Sequence, residues 1–403
     1  MARTRVLFLA EAVTLAHLAR PIELASGLSS AKYEVTLACD SRYRSILERL
    51  PFQTPALYSL SSERFLAALA RGRAVYDSET LERYVADDLD LIDAFKPDLV
   101  VGDFRLSLSV SARLRQVPYL AISNAYWSPH AKQTWTVPAL PTLRWAGTSL
   151  GSALFRLARP IAFALHSRPL NRVRRRHGLP SLGNDLRRVY TDADYTLYAD
   201  VPELTPTHSL PAHHRYLGPI LWSPPASTPT WWDALPEGVP RIYLTLGSSG
   251  ASELLPAILN ALANLPVAIM VATAGHAGAV SHWPRNTFHA DYLPGCEAAA
   301  RSSLVICNGG SPTTQQALAA GVPVIGIAGN LDQLLNMQAI TAAGAGALLR
   351  VDGFSQPRLL RLVQTLLNEP RYKQSAHQVG NWFAHYPARQ RFAQLLEEIQ
   401  PSG

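Results

Sequence analysis

Short, uninterrupted apolar runs alternate along this chain with longer stretches in which apolar residues recur every three or four positions. The first run, Val6-Leu7-Phe8-Leu9-Ala10, leads through a short loop into an amphipathic segment from about His17 to Leu28. Glu34 to Ala38, Leu99 to Gly102 and Tyr119 to Ile122 continue the series. A second series opens with Arg241 to Leu246, the loop Gly247-Ser248-Ser249-Gly250 and a helix from about Glu253 to Leu265. Val267 to Ala272, Phe288 to Tyr292, Leu304 to Ile306, Val324 to Ile327 and Ala347 to Val351 follow as strands. Strands that are apolar on both sides belong to parallel sheets covered by helices on both faces. The pattern predicts an α/β chain of two doubly wound, Rossmann-like domains. Ligands of such sheets sit beyond the carboxyl ends of the strands, so two facing sheets are expected to enclose a central cleft.

The two series are separated by a change in composition. Val201 to Pro240 holds nine prolines, the mark of an extended connector, and the boundary is expected near Gly218 to Pro225. The first domain is therefore read as 1–218 and the second as 219–380. Within the first, about 124–188 lacks a strand pattern and carries Trp127, Trp135 and Trp145, which suggests a helical insertion walling a second substrate. The last stretch, 381–403, contains a helix from about Asn381 to Ile399 with no place in the second sheet.

Composition narrows the class. A chain of 403 residues, 48% apolar and 17% charged, can bury two large cores. Three scattered cysteines, Cys39, Cys296 and Cys307, argue against a disulfide framework or a cysteine metal site and fit a reducing cytoplasm. Met1 to Ala16 resembles a secretory leader only in its two arginines and early apolar run; Glu11 interrupts that run, and an amphipathic helix follows. No stretch reaches the ~18 uninterrupted apolar residues of a membrane span. The net charge of +7 is concentrated: nine arginines face one acid, Asp185, between Arg156 and Arg188. Leu154, Leu157, Ile161, Leu165, Leu170 and Val173 recur there at helical spacing. Two readings stand, a solvated basic helix face and a peripheral contact with an anionic membrane surface at the inner face. Nucleic acid fits poorly, because no aromatic interleaving or binding module accompanies the arginines.

The chemistry concentrates in Cys307-Asn308-Gly309-Gly310-Ser311-Pro312-Thr313-Thr314, where an apolar strand runs into a glycine pair. A helix is expected to open there with Ser311 as N-cap and Pro312 at its first position. Glycines let backbone approach a ligand, and free N–H groups at a helix start favour a phosphate or diphosphate.

Asn308 to Thr314, Gln316-Ala317-Leu318, Gly321-Val322-Pro323 and Asp332-Gln333 with Asn336 resemble, in that order, the nucleotide-sugar-binding domain of GT-B glycosyltransferases. The resemblance is to the UDP-glycosyltransferase superfamily, glycosyltransferase family 1, and its bacterial relatives. It extends to Thr245-Leu246-Gly247-Ser248-Ser249, Tyr292-Leu293-Pro294 and Tyr216-Leu217-Gly218-Pro219, and so covers most of the chain. Two positions depart from the family pattern. Asn308 stands where a histidine is usual, and an amide donates hydrogen bonds but carries no charge. Pro312 stands where a glycine is usual and removes one N–H donor.

The resemblance implies roles. Asn308, Gly309, Gly310, Ser311, Thr313 and Thr314 would hold the diphosphate, with Ser248 and Ser249 reaching it from the other loop. Asp332 and Gln333 would bind sugar hydroxyls, although Asp332 also reads as a helix N-cap. Leu293 would meet the base. The family's general base is a histidine in the first loop, steadied by an aspartate at the end of a later strand. His17 and Asp103 occupy such places, with Glu11 as a reserve base, and a packing or capping role for His17 stays open. Trp127 and Trp135 would contact the acceptor. The implied function is an inverting, metal-independent glycosyltransferase moving sugar from a UDP- or dTDP-sugar co-substrate to a hydroxyl of an apolar natural product or lipid. No cofactor is implied. The final helix would cross back onto the first domain. A non-catalytic sugar-nucleotide-binding partner subunit and a nucleotide-sugar epimerase remain as alternatives at this point.

Overall fold

The computed structural model describes residues 3–139, 147–247 and 250–399. These fall into two units: Met1–Gln133, Ser152–Ile220 and Tyr386–Gly403 in the first, Thr134–Gly151 and Leu221–His385 in the second. The strands are β1 (Thr4–Ala10), β2 (Tyr33–Ala38), β3 (Leu99–Asp103), β4 (Tyr119–Ser123), β5 (Tyr195–Tyr198), β6 (His214–Tyr216), β7 (Arg241–Thr245), β8 (Ala268–Ala272), β9 (Thr287–Ala290), β10 (Leu304–Cys307), β11 (Val324–Ala328) and β12 (Gly346–Arg350). The helices of the first half are α1 (Ala16–Ser26), α2 (Arg44–Leu47), α3 (Ser62–Ala70), α4 (Ser78–Phe95), α5 (Leu108–Leu114), α6 (Gly147–Arg176) and α7 (Leu186–Tyr190). Those of the second are α8 (Leu255–Leu262), α9 (Gly295–Ala300), α10 (Ser311–Ala319), α11 (Leu331–Ala342), α12 (Gln356–Asn368), α13 (Pro370–Ala384) and α14 (Ala388–Ile399).

Each unit contains one six-stranded sheet, and every pairing in both is parallel. The apolar runs become these strands because helices cover both faces: every residue of β3, β4, β8, β10 and β11 is buried. The first sheet has the order β2-β1-β3-β4-β5-β6 and the second β12-β11-β10-β7-β8-β9. The chain therefore reverses its direction of travel between β1 and β3 in one sheet and between β7 and β10 in the other. At such a switch point the loops diverge and leave a crevice at the strands' carboxyl ends.

Several elements differ from the sequence expectation. β5 and β6 extend the first sheet beyond the strands expected from the sequence; β6 falls within the stretch read as connector, holds only three residues and caps an edge, where a proline-rich context is tolerated. The final helix is two helices, α13 and α14, because Pro387 disfavours helical backbone at the residue before it. Thr134–Gly151, read as part of a first-domain insertion, groups with the second unit. There the Ala139 amide donates to the Gly329 carbonyl, and Arg350 Nη1 donates to the Val137 carbonyl at 2.7 Å.

Helix α14 belongs to the first unit. Phe392, fully buried, lies 6.0 Å from the Phe8 ring, and Arg389 Nε donates to Glu23 Oε1 on α1 at 2.6 Å. Gly218, at φ +100°, makes this return possible, since a Cβ there would lie 2.1 Å from the Tyr386 carbonyl oxygen.

Candidate functional site

Side chains build the switch point of the first unit. Ala10 of β1 lies beside Asp103 of β3 in the parallel register, so the loop into α1 starts next to the end of β3. His17 stands in the first turn of α1, and its Nδ1 lies 2.8 Å from Asp103 Oδ1. A carboxylate only accepts, so this contact puts the proton on Nδ1 and leaves the Nε2 lone pair free. Asp103 is fully buried, whereas the His17 side chain keeps 19% of its exposure and stays within reach of a ligand.

Arg20, one helical turn beyond His17 on the same face, was not foreseen. Its Nε lies 2.7 Å from Asp103 Oδ2, and its Nη2 donates to Oδ1 at 2.8 Å. The guanidinium thus touches both aspartate oxygens, with a hydrogen bond to Oδ1 and an ion-pair contact to Oδ2, and together these orient the carboxylate. Arg20 Nη1 donates to Asn124 Oδ1 at 2.9 Å, and Asn124 Nδ2 donates to Asp200 Oδ2 at 3.0 Å. The pair His17–Asp103 is therefore the outer end of a buried polar chain running across the sheet.

Aromatic rings complete this half. Phe104 sits at φ +58°, left-handed backbone that costs a non-glycine residue about 1–3 kcal/mol. That turn swings its ring onto His17, with centroids 4.9 Å apart and planes within 13°. Phe65, Tyr76 and Tyr190 pack on Phe104, and Trp127 meets Tyr190 edge-on at 5.0 Å. Trp127 thus joins the rings around His17. Trp135, buried, belongs to the second unit; Trp145 lies outside the described residues.

Glu11 is no reserve base. It is fully buried, accepts from the Tyr84 hydroxyl at 2.7 Å and from Arg105 Nη1 at 3.1 Å, and burial pushes its carboxyl above the usual range against the pull of Arg105. Arg105 also donates to Asp88 Oδ1 at 2.9 Å and to the Tyr58 carbonyl at 2.8 Å. This cluster lies wholly inside the unit.

The switch point of the second unit is built from backbone. After β10, Gly309 takes φ +79°, and a Cβ there would lie 2.7 Å from Met337 Cγ on α11. Helix α10 starts one residue earlier than expected, with Gly310 as N-cap and Pro312 as the second residue. The Gly310 amide donates to Asn308 Oδ1 at 3.0 Å, so the residue in the histidine position spends its oxygen folding the turn. The first-turn amides of Ser311 and Thr313 have no carbonyl one turn back to donate to, and they face the start of the helix. Buried Asn336 ties α11 to this turn, donating to the Gly309 carbonyl at 2.8 Å and to Thr314 Oγ1 at 2.9 Å. Thr314 is itself buried against the carbonyls of Gly310 and Ser311.

Asn330, not Asp332, caps α11. Its side chain accepts from the Gln333 amide at 3.0 Å, and Gln333 Oε1 accepts in return from the Gly329 and Asn330 amides at 2.9 and 3.3 Å. Gln333 therefore has only its amide nitrogen left for a ligand, while Asp332 sits half-buried in the first turn. Leu293 is buried beyond β9, and Tyr292 beside it is exposed, not packed in a strand. Ser248 and Ser249 lie outside the described residues.

Two Asp-x-Asp strings occur; three of their four aspartates are committed to internal partners, while Asp90 is exposed. Asp88 holds Arg105, Asp192 pairs with Arg113 and Arg174, and Asp194 accepts from the Tyr119 amide. Among the described residues no group of three or more His, Cys, Asp or Glu could hold a metal ion.

Residues 256–399 match the family model for the C-terminal domain of erythromycin biosynthesis protein CIII-like proteins. Over 381 residues the chain is 55% identical to a PGL/p-HBAD biosynthesis rhamnosyltransferase of Mycobacterium bovis (strain BCG / Pasteur 1173P2), covering 94% of this chain and 84% of the relative. A PGL/p-HBAD biosynthesis glycosyltransferase of Mycobacterium tuberculosis (strain ATCC 25177 / H37Ra) is 53% identical over 381 residues, 94% of this chain and 89% of its own. Among solved structures, the fold is similar to the glycotransferase of kitacinnamycin, with a TM-score of 0.73, 19% identity and 100% of both chains covered. It is similar also to the spinosyn rhamnosyltransferase SpnG, at TM-score 0.71 and 18% identity over 98% of this chain and 100% of that one.

Proposed function

Because the chain belongs to the glycosyltransferase family of those mycobacterial relatives, we propose that it moves a sugar from a nucleotide-diphosphate donor to a hydroxyl group, with inversion and without a metal ion. The observation that carries this reading is the His17 Nδ1–Asp103 Oδ1 contact of 2.8 Å at the switch point of the first sheet.

His17 Nε2 takes the proton from the acceptor hydroxyl as that oxygen attacks the anomeric carbon, and Asp103 stabilises the imidazolium that forms. The bond from the anomeric carbon to the diphosphate oxygen breaks on the opposite side, so the configuration inverts. Arg20 acts on Asp103 and not on substrate: it positions the carboxylate that orients the base. In the second unit, the amides of Ser311 and Thr313 and the start of α10 take up the charge of the leaving diphosphate, with Ser248 and Ser249 assigned to the same anion. Gly309 and Gly310 keep that turn open to the donor. Neutral Asn308 supports the turn, so phosphate binding rests on backbone amides. Asp332 and Gln333 are assigned to the sugar hydroxyls, Gln333 through its amide nitrogen, and Leu293 to the nucleobase.

The name of the 55% identical relative supports rhamnose as the donor sugar; the nucleotide is UDP or dTDP. The rings of Phe104, Tyr190 and Trp127 beside His17 favour an apolar acceptor, a natural product or a lipid. Three free cysteines, two of them buried, suit a cytoplasmic enzyme. Incubation with a panel of UDP- and dTDP-sugars and candidate acceptors, reading nucleoside diphosphate release, tests the assignment. Release that depends on acceptor and vanishes in His17→Ala is expected. Undiminished transfer by His17→Ala would sink the mechanism, and interconversion of the sugar without transfer would sink the function.

A further inference from the structure

Among the described residues, helix α6 is the element whose apolar face turns outward. Leu150, Leu154, Leu157, Ile161 and Leu165 are 41–80% exposed, and among the described residues the other exposed large hydrophobic side chain is Tyr292. Their spacing of three and four places them on a single face, a strip about 22 Å long at 1.5 Å per residue. The same spacing continues through Arg168, Arg172 and Arg175, all exposed and with no ion pair among the described residues. The opposite face carries the packing: Phe163, Ser167, Leu170, Val173 and Arg174 are buried in the first unit. Leu170 and Val173 thus leave the exposed series that sequence spacing alone gave them.

No aspartate or glutamate occurs anywhere in Gly147–Arg176. A water-facing helix has no use for five large aliphatic side chains in one row, and such a row on a monomer marks an interaction site. An anionic lipid surface matches both parts of the strip. Aliphatic side chains enter the boundary between headgroups and acyl chains, and arginines meet the lipid phosphates. No described helix is long and apolar enough to cross a membrane, so contact would be lateral.

We propose that the outer face of α6 docks this protein on an anionic bilayer surface, with Leu154, Leu157, Ile161 and Leu165 inserted and Arg168, Arg172 and Arg175 on the headgroups. None of these residues belongs to the His17–Asp103 machinery or to the α10 turn, and the inference holds whichever acceptor is used.

Flotation with vesicles of phosphatidylcholine alone and of phosphatidylcholine mixed with phosphatidylglycerol tests it. The wild-type protein should float with the mixed vesicles, remain behind with the neutral ones, and be released as salt rises. Arg168→Gln with Arg172→Gln and Arg175→Gln should lower the partition coefficient about 100-fold, since each basic residue at an anionic surface contributes about fivefold. Leu157→Asp with Ile161→Asp should abolish flotation while leaving thermal stability and transfer to a water-soluble acceptor unchanged. Equal binding to both vesicle types, no binding to either, or full binding by the Leu157→Asp, Ile161→Asp protein overturns the proposal. So does a wild-type dimer in solution that the same two substitutions convert to monomer, because the strip would then be a self-contact.

Discussion

The two sheets reverse direction at equivalent places, yet they furnish those places with opposite materials. In the first unit the switch point is filled by ionisable side chains, His17, Asp103 and Arg20, joined within 2.8 Å of one another through the aspartate oxygens. In the second it is filled by backbone, with glycine at 309 and 310, a helix start, and a neutral asparagine folding the turn. The difference follows from what each would handle under the proposed function. A proton has to be held at one atom with one orientation, which only a side chain with a fixed tautomer can do. A diphosphate presents several oxygens to several directions, and an array of amides meets it without any single group being decisive. One half is therefore sensitive to chemistry and the other to shape.

Breaking the first half should produce the largest effect. Asp103→Asn keeps the geometry but removes the charge that stabilises imidazolium, and kcat should fall about 10³-fold with little change in donor KM. Acid should single out the same unit. Burial, with His213 and His130 close by, pushes the His214 ring down to about 4, and Tyr198 shares a 2.7 Å hydrogen bond with its Nδ1. The unfolded chain takes up that proton near pH 6.5 and the folded unit only near 4, so stability is lost as pH falls through this window. The loss should reach up to about 3 kcal/mol in urea titrations, and His214→Gln should flatten it. Arg20→Gln releases the carboxylate plane, and misplacement of this kind should lower kcat about 100-fold at unchanged donor KM, where a purely structural role would show in the melting temperature alone. The second half should respond to bulk instead. Gly309→Ala puts a methyl against Met337 in a left-handed backbone, and should weaken donor binding and stability by about 1–2 kcal/mol. Ser311→Ala, which leaves the amide in place, should change donor affinity by no more than about threefold. A Ser311→Ala effect as large as that of Asp103→Asn would erase the distinction between the halves.

Most of the architecture is legible in the chain because fully buried parallel strands write themselves as continuous apolar runs. β3, β4, β10 and β11 are of this kind. β6 is not, since a three-residue edge strand in a proline-rich stretch carries no pattern of its own. The break between α13 and α14 was written at Pro387 but masked by helical spacing on either side. Proximity of His17 to Asp103 follows from strand ends that meet at a switch point. Arg20 is not legible in the chain because its meaning depends on which face of α1 lies over β3, and arginine on a helix is ordinarily a surface residue. Asn336 and Gln333 show the same limit: motif order marks them as belonging to the site, while only their partners reveal that they brace the α10 turn and cap α11.

The cluster of Glu11, Asp88 and Arg105 under Tyr84 has a bearing on how this fold can diversify. Each of the three ionisable groups is closed off from water, and Arg105 pairs with both carboxylates, so its loss would leave two acids without their charge partner in the interior. Inherited change at Arg105 would therefore have to come together with change at Glu11 and Asp88. Tyr190 and Trp127 are only partly buried and so more open to single exchange than the buried Phe65 and Tyr76. Under the proposed function, acceptor preference would shift by redrawing those two rings over an unaltered charged floor.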